Sequence, residues 1–162
     1  MADAPDVKPV DIASALDGLP VLDGRTPETS AAEADAAFAT LARFRDGGIF
    51  AGSFSGESPW ERHPKGDELV HILKGAATLT VLMDDGPRVL EMRAGMLTVV
   101  PRGRWHRFQA PDGVTVLTAT PQPTEHSPAP DHPAPPGSAE RAGAPDAALG
   151  GAARRGDAAR KR

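Results

Sequence analysis

Between Ser30 and Gly48 the apolar side chains recur at helical spacing, with Phe38, Leu41 and Phe44 sharing a stripe with Ala34 and Ala37. Ser30 followed by Glu33 forms a capping box, and Gly47 with Gly48 marks a stop, so the pattern predicts one amphipathic helix over about 31–46. Beyond Gly48 the period shortens to alternation in brief runs. Strands are expected over 49–54, 58–63, 68–74, 76–83, 87–92, 97–100, 105–109 and 113–120. Turn signals such as Lys65-Gly66, Gly75, Asp84-Asp85-Gly86 and Pro101-Arg102-Gly103 close them. Eight short strands in 72 residues predict an all-β, antiparallel barrel or double-sheet jelly roll, because closure or sheet stacking is how such a chain manages its edges. A pocket is expected inside it.

Composition sharpens the boundaries. Of the 162 residues, 36 are large and apolar, and 24 of these fall between Ile49 and Leu117, so the core is central. Residues 1–48 read as an arm plus the helix, with the first 29 punctuated by Pro and Gly and laid over the core or a partner subunit. From Pro121 onward 24 of 42 residues are Ala, Pro or Gly and only Leu149 is large and apolar. Such a stretch cannot bury enough surface to offset its ordering entropy, which predicts a disordered tail over 121–162. His126 and His132 lie in that tail and are set aside as ligands on this ground.

The absence of Cys removes disulfides, thiolate nucleophiles and sulfur-ligated metals, so any metal must sit on nitrogen and oxygen; the absence of Tyr removes a phenol. No apolar run approaches the ~20 residues of a membrane helix, and the acidic start lacks the pattern of a secretory leader, so a cytoplasmic address is expected. The net charge of −4 divides into −5 over 1–48, zero over 49–120 and +1 over 121–162. A neutral core argues against a nucleic-acid surface, and the basic end from Arg154 to Arg162 reads as solvated.

Four side chains stand out as candidate metal ligands: Glu61, His63, Glu68 and His106. Glu61 and His63 are two apart in an extended run and point to one face, with Arg62 on the other. Glu68 follows a Pro64-Lys65-Gly66 turn that could return it beside His63, and His106 opens a strand after a Pro-x-Gly turn. Imidazole nitrogen with carboxylate oxygen suits divalent first-row metals, with positions left open for water or substrate.

These residues carry a resemblance to the cupin superfamily, in particular its small, single-domain members. The family's first motif is His-x-His, three or four residues, Glu, six residues, Gly; here it stands as Glu61-x-His63, four residues, Glu68, six residues, Gly75. The second is Gly, five residues, Pro-x-Gly, two residues, His, three residues, Asn; here it stands as Gly95, Pro101-x-Gly103, His106 and, in the place of Asn, Ala110. The resemblance covers roughly 49–120 and implies a double-stranded β-helix with His63, Glu68 and His106 as ligands of one Fe, Mn, Ni or Zn ion and no organic cofactor. Glu61 replaces an imidazole with a carboxylate and shifts the site toward harder metals, as a fourth ligand, a general base or a partner of the ligands. The alternative is a barrel that has lost its metal and keeps its glycines and prolines for folding.

Phe108 shares parity with His106 and is expected to line the pocket or to be plain core. Arg102 and Arg104 would favour an anionic substrate if they rim the mouth; solvated turns are the other option. His71, Trp60 and Trp105 alternate to the outer face, as packing or interface residues. Together these residues imply a metal-dependent cupin acting on a small anionic molecule by oxygenase, isomerase or decarboxylase chemistry, with Glu61 catalytic. The competing class is a non-catalytic ligand-binding or sensory module, and by resemblance either would be a homodimer.

Overall fold

The computed structural model describes residues 7–131. The arm opens with a one-turn helix, α1 (Ile12–Leu16), capped by Asp11, and a short strand, β1 (Leu22–Arg25). Helix α2 (Ala31–Ala37) has the capping box: the Ser30 hydroxyl accepts from the Glu33 N–H, and the Glu33 carboxylate accepts from the Ser30 N–H. The helix expected over 31–46 nevertheless stops at Ala37, and Phe38–Phe44 continue as strand β2. The reason is tertiary. β2 forms a hairpin with β3 (Gly47–Glu57), turning at Arg45, which takes φ 53°. Phe38, Leu41 and Phe44 fit a helical stripe and a strand equally well, and the ladder decides.

The remaining strands are β4 (Trp60–Arg62), β5 (Glu68–Met83), β6 (Gly86–Arg93), β7 (Leu97–Val100), β8 (His106–Pro121) and β9 (Glu125–Ser127). Together they make an all-β, antiparallel double-stranded β-helix, one curled sheet around a single core. β8 lies between β3 and β5 along most of its length and pairs β4 at its start; β6 and β7 extend the β5 side. The one parallel contact among the described residues is β1 on β3.

Two pairs of expected strands are each one long bent strand. In β5 the inward residues are Glu68, Val70 and Ile72 before the bend and Ala77, Leu79 and Val81 after it. The change of parity marks a bulge at Gly75, which takes φ 73° and whose absent Cβ would overlap the carbonyl of Gly113. β8 bends at Gly113 and keeps even-numbered residues inward on both sides of the bend, from His106 to Ala110 and from Val114 to Thr120.

The expected tail boundary at 121 also moves. Pro121 ends β8, and β9 pairs with β4 in the register Trp60↔Ser127, Glu61↔His126, Arg62↔Glu125. The sheet therefore overruns the expected 49–120 barrel at both ends. His132 and the rest of the expected disordered tail, with its basic end, lie outside the described residues.

Along the core, one end is apolar and the other is not. Ile72, Ala77, Leu79 and Val114, toward the bends of β5 and β8, are buried at the first, while His63, Glu68, His106, Thr118 and Thr120 are buried at the second. Burying ionisable groups costs stability unless they are paired or coordinated, so the polar end calls for a functional account.

Candidate metal centre

Three segments deliver the four candidate ligands to one point. β4 supplies Glu61 and ends just before His63, Glu68 opens β5, and His106 opens β8 directly across from Glu61. The loop after β7 is tied in, since Gly103 N–H donates to the His63 carbonyl at 3.0 Å. One ligand atom from each of the four lies within 4.8 Å of the others. His106 Nε2 is 2.9 Å and His63 Nε2 3.2 Å from the same oxygen, Glu68 Oε2, and His106 Nε2 is 3.6 Å from Glu61 Oε1.

The far side of each buried ligand is held. His106 Nδ1 lies 3.0 Å from the Arg104 carbonyl and donates to it, which aims Nε2 into the cluster. His63 Nδ1 meets Thr124 Oγ1 at 3.2 Å, and Glu68 Oε1 accepts from Thr120 Oγ1 at 2.7 Å, itself linked to Thr118. What is left over decides the fit. His63 Nε2, His106 Nε2 and Glu68 Oε2 are buried and, apart from one another, have no partner. Three orphaned donor atoms facing one another, each with its other end fixed, are what a divalent cation would satisfy.

The charges agree. Burial opposes ionisation of Glu61 and Glu68, but the imidazoles beside them hold both carboxyls below the usual range. Burial likewise opposes a charge on His106, yet Glu61 and Glu68 push its pKa up to about 10. In the absence of a cation, a proton on His106 takes its electrostatic place.

Glu61, His63 and Glu68 form part of the wall of a cavity of about 590 Å³ whose apolar side includes Phe38, Phe50, Phe54 and Phe108. Phe54 and Phe108 meet edge to face at 6.0 Å, and Phe108 meets the His106 ring at 6.4 Å. Arg102 and Arg104 stand elsewhere. Arg102 donates to the Pro64 carbonyl at 2.6 Å, and Arg104 forks onto Asp84, so neither lines the cavity. His71, Trp60 and Trp105 do not line the cavity; the indoles of Trp60 and Trp105 lie under the guanidinium groups of Arg107 and Arg62 respectively.

Sequence reasoning missed four residues of this site. Thr120 was legible in principle, since it shares parity with His106 along β8. Thr124 and His126 had no local signal, and His126, set aside with the tail, stands with Nε2 3.6 Å from Glu61 Oε2. Arg25 comes from the arm and lines the cavity.

A cupin-domain family description matches residues 54–120. These residues form a cupin domain. No curated protein matches the chain. Among solved structures, a conserved Streptococcus pyogenes protein of unknown function is 28% identical, over 53% of this chain and 73% of that one, with a TM-score of 0.45. A cupin-2 domain protein from Shewanella frigidimarina is 19% identical over 56% and 79%, with a TM-score of 0.44. Oxalate decarboxylase from Bacillus subtilis is 18% identical over 48% and 23%, also at 0.44. Against the cupin pattern, the chain departs where Glu61 stands for the first His and Ala110 for the final Asn.

Proposed function

We propose that this chain is a metal-dependent cupin that acts on a small anionic molecule. His63, Glu68, His106 and Glu61 would hold one Fe, Mn, Ni or Zn ion. The observation that carries this reading is the set of three buried donor atoms turned toward one another with no other partner. Two carboxylates balance a divalent charge and favour the harder ions of that series. When bound, such an ion would polarise a carbonyl or activate dioxygen, which covers isomerase, decarboxylase and oxygenase chemistry.

The chain's own residues supply the rest. The aromatic wall gives the cavity its apolar side, and the Thr118–Thr120–Glu68 chain keeps the ligand carboxylate from turning. Where Glu61 is not a ligand, its carboxylate lines the cavity and is placed to accept a proton from a substrate seated there.

The same reading takes the chain as a homodimer. β7 pairs on one side only, among the described residues, and exposes Leu97 and Val99 on that edge strand.

Elemental mass spectrometry on untagged protein tests the centre. The expected result is close to one first-row metal per chain, lost in His63→Ala and His106→Ala. Full stoichiometry in both variants, or no metal in the parent after reconstitution, would overturn it.

A further inference from the structure

One cation in the cavity is left without a close counter-charge among the described residues. Arg25, at the end of β1, lines the cavity together with Glu61, His63 and Glu68. Its Nε is buried with no hydrogen-bond partner, and none of its guanidinium nitrogens is in a salt bridge or side-chain hydrogen bond with a described residue. Its charged group lies over the Phe54 ring at 5.1 Å, which covers one face and leaves the edge of the fork for in-plane acceptors. Glu61 acts on it only at longer range, and Asp35, which also borders the cavity, is exposed on α2.

The position of Arg25 is fixed by its backbone. β1 reaches the sheet through a parallel contact in which Arg25 pairs with Gly56. Gly56 takes φ 97°, and a Cβ there would overlap the Arg25 backbone. Gly24 N–H donates to Ser55 Oγ at 2.9 Å, and that hydroxyl donates to Asp23, pinning the strand on both sides.

We propose that Arg25 is the anchor for the ligand's anionic group, and that the ligand is a small monocarboxylate with an apolar body. This rests on the proposed function for the role of the metal end, but the anchor itself does not need the metal. Among the lining charges that are not exposed to solvent, which leaves out Asp35 at the rim, the count points to one negative group: Glu61 and Glu68 offset a divalent ion, so Arg25 is the surplus. A carboxylate presents two oxygens in one plane, which matches the open edge of the guanidinium and supplies the acceptor Nε lacks. The body then lies against Phe38, Phe50 and Phe54, with its far end toward His63 and Glu68.

The test is a ¹⁹F NMR titration of zinc-loaded protein with 4-fluorobenzoate, its neutral amide and 4-fluorophenylphosphonate, on the parent, Arg25→Gln and Arg25→Lys. Metal content and melting temperature are recorded for each. The parent is expected to bind the acid more tightly than the amide or the phosphonate. In Arg25→Gln the Kd for the acid should rise about ten- to a hundredfold with the amide and the metal content unchanged, and Arg25→Lys should recover part of the loss. Equal affinity of Arg25→Gln for the acid, equal binding of acid and amide by the parent, stronger binding of the phosphonate, or no binding of the acid would each overturn the assignment. If Arg25→Gln fails to fold, the ligand comparison on the parent and Arg25→Lys still decides. A parent that takes up no zinc but discriminates the acid through Arg25 would sink the metal reading and leave the anchor standing.

Discussion

His126 and Glu61 face each other across the β4–β9 ladder, paired in register, with the imidazole Nε2 3.6 Å from the carboxylate Oε2. A segment poor in apolar residues thus closes the polar end of the core, bringing Thr124 to His63 at the same time.

Truncation should separate the contribution of β9 from that of the residues beyond it. Ending the chain after Asp131 is expected to leave metal affinity unchanged, whereas ending it after Thr120 removes Thr124 from His63 and His126 from Glu61. The second truncation should weaken metal binding about ten- to a hundredfold, measured by chelator competition. Equal affinity of the two would show that β9 does not support the site.

Thr120→Val deletes the hydrogen bond to Glu68 Oε1 while keeping the shape of the side chain. Metal affinity is expected to fall about tenfold or more, and Thr120→Ser should restore it. A loss in both variants would point to packing instead of the hydroxyl.

The pH response has a definite sign. In metal-free protein the His106 pKa is raised from 6.5 to about 10, so its contribution to stability is fully present below pH 6.5 and lost as pH rises toward 10. Melting temperature of the metal-free form should therefore fall across that window. Metal must displace this proton, so uptake near pH 7 should release about one proton and affinity should climb with pH. Calorimetry in two buffers of different ionisation heat checks the release, and a metal-free form that stabilises toward pH 10 would contradict the assignment.

Gly75→Ala should be among the most damaging single changes. It combines a left-handed backbone with an overlap on the Gly113 carbonyl, and a loss of about 3 kcal/mol or more is expected in chemical denaturation.

Light scattering should find a dimer, and Leu97→Lys should convert it to a monomer with metal content intact. A monomeric parent at working concentration would remove the β7 interface.

Alternation alone put Glu61 and His63 on one face, and the spacing around Pro101 and Gly103 brought in His106, because these depend on short-range chain geometry. The capping box of α2 was equally local. The fate of Phe38–Phe44 was not, since its apolar spacing suits two structures and only the β3 partner chooses between them. Arg25 and His126 acquire meaning solely through pairing with residues 31 and 65 positions away, Gly56 and Glu61. Composition spoke against His126, describing a segment too poor in apolar residues to fold alone, yet an existing sheet edge holds part of it as β9. Arg102 and Arg104 show the converse error: proximity in sequence to a ligand does not fix where a long side chain turns.

The bends at Gly75 and Gly113 let β5 and β8 leave the polar end of the core, turn and return to it unbroken: β5 runs from Glu68 to Val81, which pairs with His106, and β8 from His106 to Thr120, which reaches Glu68. Glu68 and His106 are thus the first rungs of the same ladders that carry Ile72, Leu79, Phe108 and Val116. Such ladders open as cooperative units. Backbone amides beside Glu68 and His106 should accordingly exchange with deuterium as slowly as those at the centre of the core, with no faster route through local fraying. Among the described residues, short elements outside the long strands also contribute to the cavity wall: β1 gives Arg25, α2 gives Ala31, Ala34 and Asp35, and β9 gives His126.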